Sequence, residues 1–89
     1  MIRDIAEFCF NNCQHIFYNK FVFWGIKPEE YLNKRNEVLN KINENSKIDF
    51  KLDYNFIDIG IRINDEERID FYLTFEDAKE LCNKYNFDL

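Results

Sequence analysis

Cys9, Cys13, His15 and Cys82 are the residues of this chain that come nearest to a metal centre, since three thiols and one imidazole form the donor set of a structural zinc site. Their spacing argues against one. On a continuous helix Cys9 and Cys13 share a face, but His15 lies about 200° around the axis from Cys13, and structural zinc ligands come in pairs from tight loops rather than from an apolar stripe. The alternative for all three thiols is a place in the core as small apolar side chains. A thiol nucleophile paired with His15, the single histidine, would need an exposed thiolate and a third group to orient the base. The sequence offers neither, and His15 reads as a polar residue at a helix edge.

Carboxylates are abundant but not arranged for catalysis. Asp65, Glu66 and Glu67 crowd into one segment between apolar runs, where solvation keeps carboxyls at their ordinary protonation, whereas a general acid is pressed against an apolar wall. The glycine and spacing of a calcium loop are missing. With Gly25 and Gly60 as the only glycines, no phosphate-cradling loop can be built. The expectation is a protein that is not an enzyme and takes no cofactor.

A third class of residue is better represented. The stretch from Phe17 to Ile26 is the densest aromatic segment of the chain. Phe21 and Phe23 suit a core, and Tyr18 and Trp24 suit either the core edge or exposed anchors of the type that concentrates binding energy at interfaces. Stacking of single-stranded bases on these rings would have only Lys20 and Lys27 to hold the backbone, a meagre electrostatic groove.

The formal net charge of −5 and the sequence pI of about 4.8 repel phosphate backbones and favour basic surfaces. Nucleic acid is therefore a poor direct partner. No run approaches the length needed to span a membrane, and no basic region followed by an apolar stretch opens the sequence. A cytoplasmic protein with free thiols is expected.

The elements that must position these groups follow from periodicity. At 89 residues the chain makes one domain, and its 46% hydrophobic content, 18% aromatic, suffices for a core without metal or disulfide. Ile2, Ile5, Ala6, Cys9, Cys13, Ile16 and Phe17 recur at helical spacing, which predicts a helix from Ile2 to about Tyr18 or Asn19, with an earlier end near residue 12 as the alternative because Asn11 and Asn12 are mediocre helix formers. An extended or irregular connector follows, although the helix could also run through to Trp24. Pro28, Glu29 and Glu30 open a second helix that carries Tyr31, Leu32, Val38, Leu39 and Ile42 and ends near Glu44.

Three runs with a period of two then predict strands. Pairing Leu52 with Ile57, Phe50 with Ile59 and Ile48 with Ile61 closes one hairpin. Pairing Ile63 with Ile69, Ile61 with Phe71 and Ile59 with Leu73 closes another. On the polar face this sets Lys51 opposite Asp58, Arg62 opposite Asp70, and Tyr72 over Gly60. Thr74 caps a last helix that buries Phe75, Ala78, Leu81, Cys82 and Tyr85. The fold class is α+β, a three-stranded antiparallel meander in the order α-α-β-β-β-α with helices on one face.

The function this suggests is occlusion rather than chemistry: a small acidic inhibitor of the immunity-protein, antitoxin or phage anti-defence type, covering the basic surface of a nuclease or other nucleic-acid-handling enzyme. Asp53, Asp58, Asp65, Glu66 and Glu67 would steer the encounter, and Tyr18, Trp24, Tyr54 and Tyr72 would anchor the contact. A structural or accessory subunit of a homodimer or larger complex, and a small-molecule sensor with a pocket between sheet and helices, are the alternatives.

Overall fold

A computed structural model describes residues 1–18 and 29–86. Trp24, together with Phe21, Phe23 and the rest of the aromatic connector from residue 19 onward, lies outside the described residues. The architecture is α+β. Four antiparallel strands, β1 (His15–Tyr18), β2 (Lys47–Asp53), β3 (Phe56–Arg62) and β4 (Arg68–Leu73), form one sheet in the order β1-β4-β3-β2. Helices α1 (Ile2–Asn12), α2 (Glu29–Asn33), α3 (Arg35–Lys41) and α4 (Phe75–Tyr85) accompany it. The sheet's apolar residues share a single core with side chains from all four helices.

The strand β1 replaces the expected continuation of the first helix. The helix stops at Asn12, whose side-chain amide turns back to the Phe8 carbonyl at 2.8 Å, and Cys13 is already extended at φ −70° and ψ 154°. Gln14 then donates to the Tyr72 carbonyl at 2.8 Å, and His15 to Tyr18 pair with Tyr72 to Ile69. Ile16, Phe17 and Tyr18 are β-branched or aromatic and fit a pleated surface, and β4 offers an edge to receive them. Tertiary pairing thus outweighs the helical spacing of Ile16 and Phe17. Ile16 is fully buried on the strand, as it would be on the helical stripe, which is why the stripe concealed the change.

The second helix is divided. At Lys34 (φ −96°, ψ 5°) the backbone N–H is shared between the carbonyls of Glu30 and Tyr31, both at 3.1 Å, and α3 starts at the next residue. Its end is set by side chains: Asn43 Oδ1 accepts from the Asn45 N–H at 2.8 Å, and the Ser46 hydroxyl donates to the Ile63 carbonyl at 3.2 Å, tying the turn to the sheet.

The β2–β3 hairpin has the expected register, Leu52 with Ile57, Phe50 with Ile59 and Ile48 with Ile61. The β3–β4 hairpin is displaced by two residues, with Ile61 opposite Ile69, Ile59 opposite Phe71 and Ile57 opposite Leu73. Residues 63–67 form its loop. Asn64 Oδ1 accepts from the N–H groups of both Glu66 and Glu67 at 2.9 Å, and Ile63 N–H donates to the Glu67 carbonyl at 2.9 Å. A two-residue displacement leaves every side chain on its original face. The apolar pattern therefore satisfies both registers, and the polar bonds of Asn64 select one.

The core lies between the sheet's inner face and the helices. Ile16, Ile59, Ile61, Ile69, Phe71 and Leu73 are fully buried from the sheet, and Phe10, Cys9, Tyr31 and Leu81 meet them from the helices. Phe10 packs edge-on to Phe71 at 4.9 Å between centroids. In α4 the Thr74 hydroxyl accepts from the Asp77 N–H at 3.1 Å as the expected cap, and Asn86 closes the helix in the left-handed conformation. Phe75 is exposed rather than buried, while Cys82 and Tyr85 are half-buried. No helix among the described residues is long and apolar enough to cross a membrane.

Candidate functional site

Among the described residues, the helices leave the second face of the sheet to polar residues and a few rings. Because successive side chains of a strand alternate between faces, this outer face receives His15 and Phe17 from β1, Arg68, Asp70 and Tyr72 from β4, Phe56, Asp58, Gly60 and Arg62 from β3, and Lys47, Asp49, Lys51 and Asp53 from β2. The register sets them in rows. Phe17, Asp70, Gly60 and Asp49 form one row across the four strands, and His15, Tyr72, Asp58 and Lys51 form the next.

Arg68 organises the first row. Its guanidinium reaches from β4 across β3, donating to Asp49 Oδ1 at 2.7 Å and Oδ2 at 2.8 Å, and to Asp70 at 3.0 and 3.3 Å. Gly60 makes this crossing possible: a Cβ there would lie 2.6 Å from Asp70 Oδ1 and 2.7 Å from the guanidinium carbon. The aromatic cover expected for Gly60 is therefore an arginine; the two-residue displacement of β4 sets Gly60 rather than Arg62 opposite Asp70, which is left to its own-strand neighbour Arg68. Arg62 instead faces Arg68. Arg68 holds the Asp49 carboxyl below the usual range.

Asp58 and Asp70 form a buried carboxyl pair, at 9% and 8% exposure. Burial first, and then hydrogen bonding to Asp70 and the proximity of its charge, push the Asp58 carboxyl up to about 7; Arg68 opposes this and Asp49 adds to it. Two like charges in contact cannot both ionise freely, so the pair holds one proton up to roughly neutral pH. Apart from the proton shared with Asp70, no donor reaches the buried Asp58 Oδ1; Lys51, directly opposite on β2, does not supply one. Tyr72, beside the pair, is raised to about 12 by burial and by Asp58, Asp70 and Asp53. His15 meets Phe56 edge-on at 5.6 Å. The arrangement is a carboxyl pair rimmed by rings.

Several sequence-derived site residues require correction. Tyr18 is 2% exposed and stacks on Tyr31 at 5.4 Å, and its hydroxyl donates to Glu67 Oε2. Glu67 is likewise buried, accepting from Tyr18, from Lys41 at 3.3 Å and from Asn64 at 3.2 Å, bonds that hold its carboxyl below the usual range. These two residues staple β1 to the β3–β4 loop and to α3, so neither is available to anchor or steer a partner. Asp58 is not a surface charge either, because the pair encloses it.

Asp65 and Glu66 are exposed at the loop, whereas Tyr54, 97% exposed, and Asp53 sit at the β2–β3 turn. Strand β3 separates these two ends by about 23 Å at 3.3 Å per residue. The expected site residues among those described therefore do not form one patch; of these, only Asp58, Tyr72 and Asp53 share the outer face. Arg68, Asp70, Asp49, His15, Phe17 and Phe56 were missed. The one sequence signal for them was Gly60, an unpacked position in an otherwise isoleucine-rich strand, which marks the close approach of another group.

The remaining features are less concentrated. An open groove of about 410 Å³ runs between α1 and α4, with Asp4, Glu7 and Glu80 on its walls. Cys9 and Cys13 are buried and Cys82 is half-buried, and none of the three is in a disulfide. Burial raises the Cys9 thiol well above its ordinary value. Among the described residues no three His, Cys, Asp or Glu side chains are grouped to hold a metal ion. No protein-family model matches the chain, and neither a curated protein nor a solved structure matches it.

Proposed function

We propose that this protein is a small binding module whose helix-free sheet face docks on a cationic protein surface, and that it acts by covering that surface. The observation that carries the reading is the buried Asp58–Asp70 carboxyl pair, whose Asp58 Oδ1 is reached by no donor beyond the proton the pair shares. Two buried carboxyls side by side are costly to ionise, and an arginine or lysine from a partner would supply donors to the pair while neutralising its charge. The partly buried rings of Phe17, Phe56 and Tyr72 surround this point, an arrangement suited to excluding water around a charged contact.

The division of charge is consistent with such a role. On the outer face four aspartates, Asp49, Asp53, Asp58 and Asp70, stand against Lys47, Lys51, Arg62 and Arg68, with no acidic excess once the proton of the carboxyl pair is counted, whereas Asp65 and Glu66 are exposed on the β3–β4 loop. Long-range attraction would then come from the loop and the helical layer, and recognition from the sheet. Enzymes that handle nucleic acid expose cationic grooves of the required kind. Occlusion of such a groove, as an immunity, antitoxin or phage anti-defence protein would achieve it, is the biological role we propose.

The test is capture from lysate of the source cells, followed by kinetics with whatever basic nuclease is retained. The reading predicts that the protein inhibits that nuclease and that high salt weakens binding. Asp58→Asn with Asp70→Asn should raise the dissociation rate at least roughly tenfold, while Asp65→Lys with Glu66→Lys should slow only association. Retention that survives the double asparagine variant unchanged contradicts the reading.

A further inference from the structure

Strand β2 is an edge of the sheet among the described residues, and its sequence, Lys47-Ile48-Asp49-Phe50-Lys51-Leu52-Asp53, is complementary to its own reverse. Rotating a second copy by a half-turn about an axis normal to the sheet and midway between the two Phe50 residues sets Lys47 against Asp53, Ile48 against Leu52, and Asp49 against Lys51. Each pair occurs twice. From these observations we infer that β2 is a self-association edge, through which two copies join antiparallel into one eight-stranded sheet. This inference is independent of the binding role proposed above.

Three features support it. First, the apolar side of β2 is unfinished: Leu52 is 70% exposed, Ile48 and Phe50 are only partly buried against the core, and a shallow cleft of about 290 Å³ lies at Phe50, Leu52 and Ile57. A copy of the same strand brings Ile48 onto Leu52 and covers both. Second, the charges discriminate among registers. A half-turn about Asp49 sets Lys47 against Lys51 and Asp49 against itself, and one about Lys51 sets Asp49 against Asp53. Half-turns about Ile48 or Leu52 avoid like charges but pair only the ends of the strand. An axis between residues would join the outer face of one copy to the inner face of the other, because faces alternate along a strand. The Phe50 axis is the one that uses all seven residues of β2 with every opposed pair matched.

Third, lysines on an edge strand ordinarily prevent pairing with another sheet, and here each lysine of β2 meets an aspartate in this register. Asp49 already accepts from Arg68 but is half-exposed, so Lys51 of the second copy can reach its outward side. The half-turn also keeps like faces together. Both Asp58–Asp70 pairs would lie on one continuous outer face, and the helices of both copies on the other.

Sedimentation of the intact chain from low micromolar to several hundred micromolar tests the inference, together with two variants at the strand ends. Wild type is expected to dimerise within that range. Lys47→Asp places two carboxylates opposite each other at both ends of the paired strands, and Asp53→Lys places two ammonium groups there; each should weaken self-association about tenfold. In an equimolar mixture the heterodimer of the two variants has one end at which the introduced aspartate faces the introduced lysine and one at which the native Lys47 faces the native Asp53. Opposite charges thus meet at both ends, and the mixture should recover wild-type affinity. Amide exchange of the wild type needs no substitution, and protection of the β2 amides should rise with concentration. A monomer throughout the range, a dimer indifferent to both variants, weakening without recovery in the mixture, or concentration-independent exchange in β2 would each overturn the inference.

Discussion

Asp58 carries an unusual load for a single residue: it sits on an isoleucine-rich strand, loses nearly all contact with water, and faces a second carboxyl. Its pH dependence has a definite sign. The folded state favours the protonated form, so the pair's contribution to stability is fully present below the ordinary 3.8 and is lost as pH rises through about 7. Asp49 and Glu67 act in the opposite direction. Their carboxyls are held down by Arg68 and Tyr18, so their contribution is lost as pH falls below the ordinary carboxylate range. Denaturant unfolding across pH should therefore show maximum stability in mildly acidic solution. Asp58→Asn should flatten the decline towards neutral pH and stabilise the protein above it by about 1–2 kcal/mol. A wild-type profile that rises steadily to alkaline pH would contradict the assignment of a shared proton.

At the scale of elements, β1 shows how a polar bond fixes what apolar pattern leaves open. Ile16 would be buried on a helix or on a strand; the hydroxyl of Tyr18 on Glu67 is compatible only with the strand. Tyr18→Phe keeps the stacked ring and removes that donor, leaving a buried carboxylate short of one bond. The expected loss is about 1–3 kcal/mol in urea unfolding, with local exchange rising in β1 and in the β3–β4 loop. The same logic explains which parts of the fold were legible in sequence. Alternation of Ile57, Ile59, Ile61 and Ile63 identified the strand and its buried face, because a one-residue error is penalised along the whole row. It could not distinguish registers two residues apart. That choice goes with the loop bonds of Asn64 to Glu66 and Glu67 and with the long-range bonds of Arg68 to Asp49 and of Tyr18 to Glu67, and it sets Gly60 rather than Arg62 opposite Asp70. The candidate site was hidden for this reason: the carboxyl pair exists only in the register that hydrophobicity did not specify.

At the scale of the whole molecule, the helices and the core cover one side of the sheet and leave the other as a polar face with a partly buried centre. The acidity read from composition is not uniform. The sheet face holds no acidic excess, which lies on the β3–β4 loop and the helical layer, so attraction of a basic partner and recognition of it are carried by different surfaces. Tyr54 and Leu52 add apolar area at the far end and edge of the sheet, where the palindromic strand offers a second copy its place.

Chemical-shift mapping with an arginine-rich peptide tests most directly whether the helix-free face is the one that receives cations. The account predicts amide shifts centred on His15, Phe17, Asp58, Asp70 and Tyr72, with the Asp58 carboxyl carbon moving to its ionised position at neutral pH as the peptide supplies donors to Oδ1. Shifts confined to the helical acids or to Asp65 and Glu66, with the Asp58 carboxyl unmoved, would contradict it.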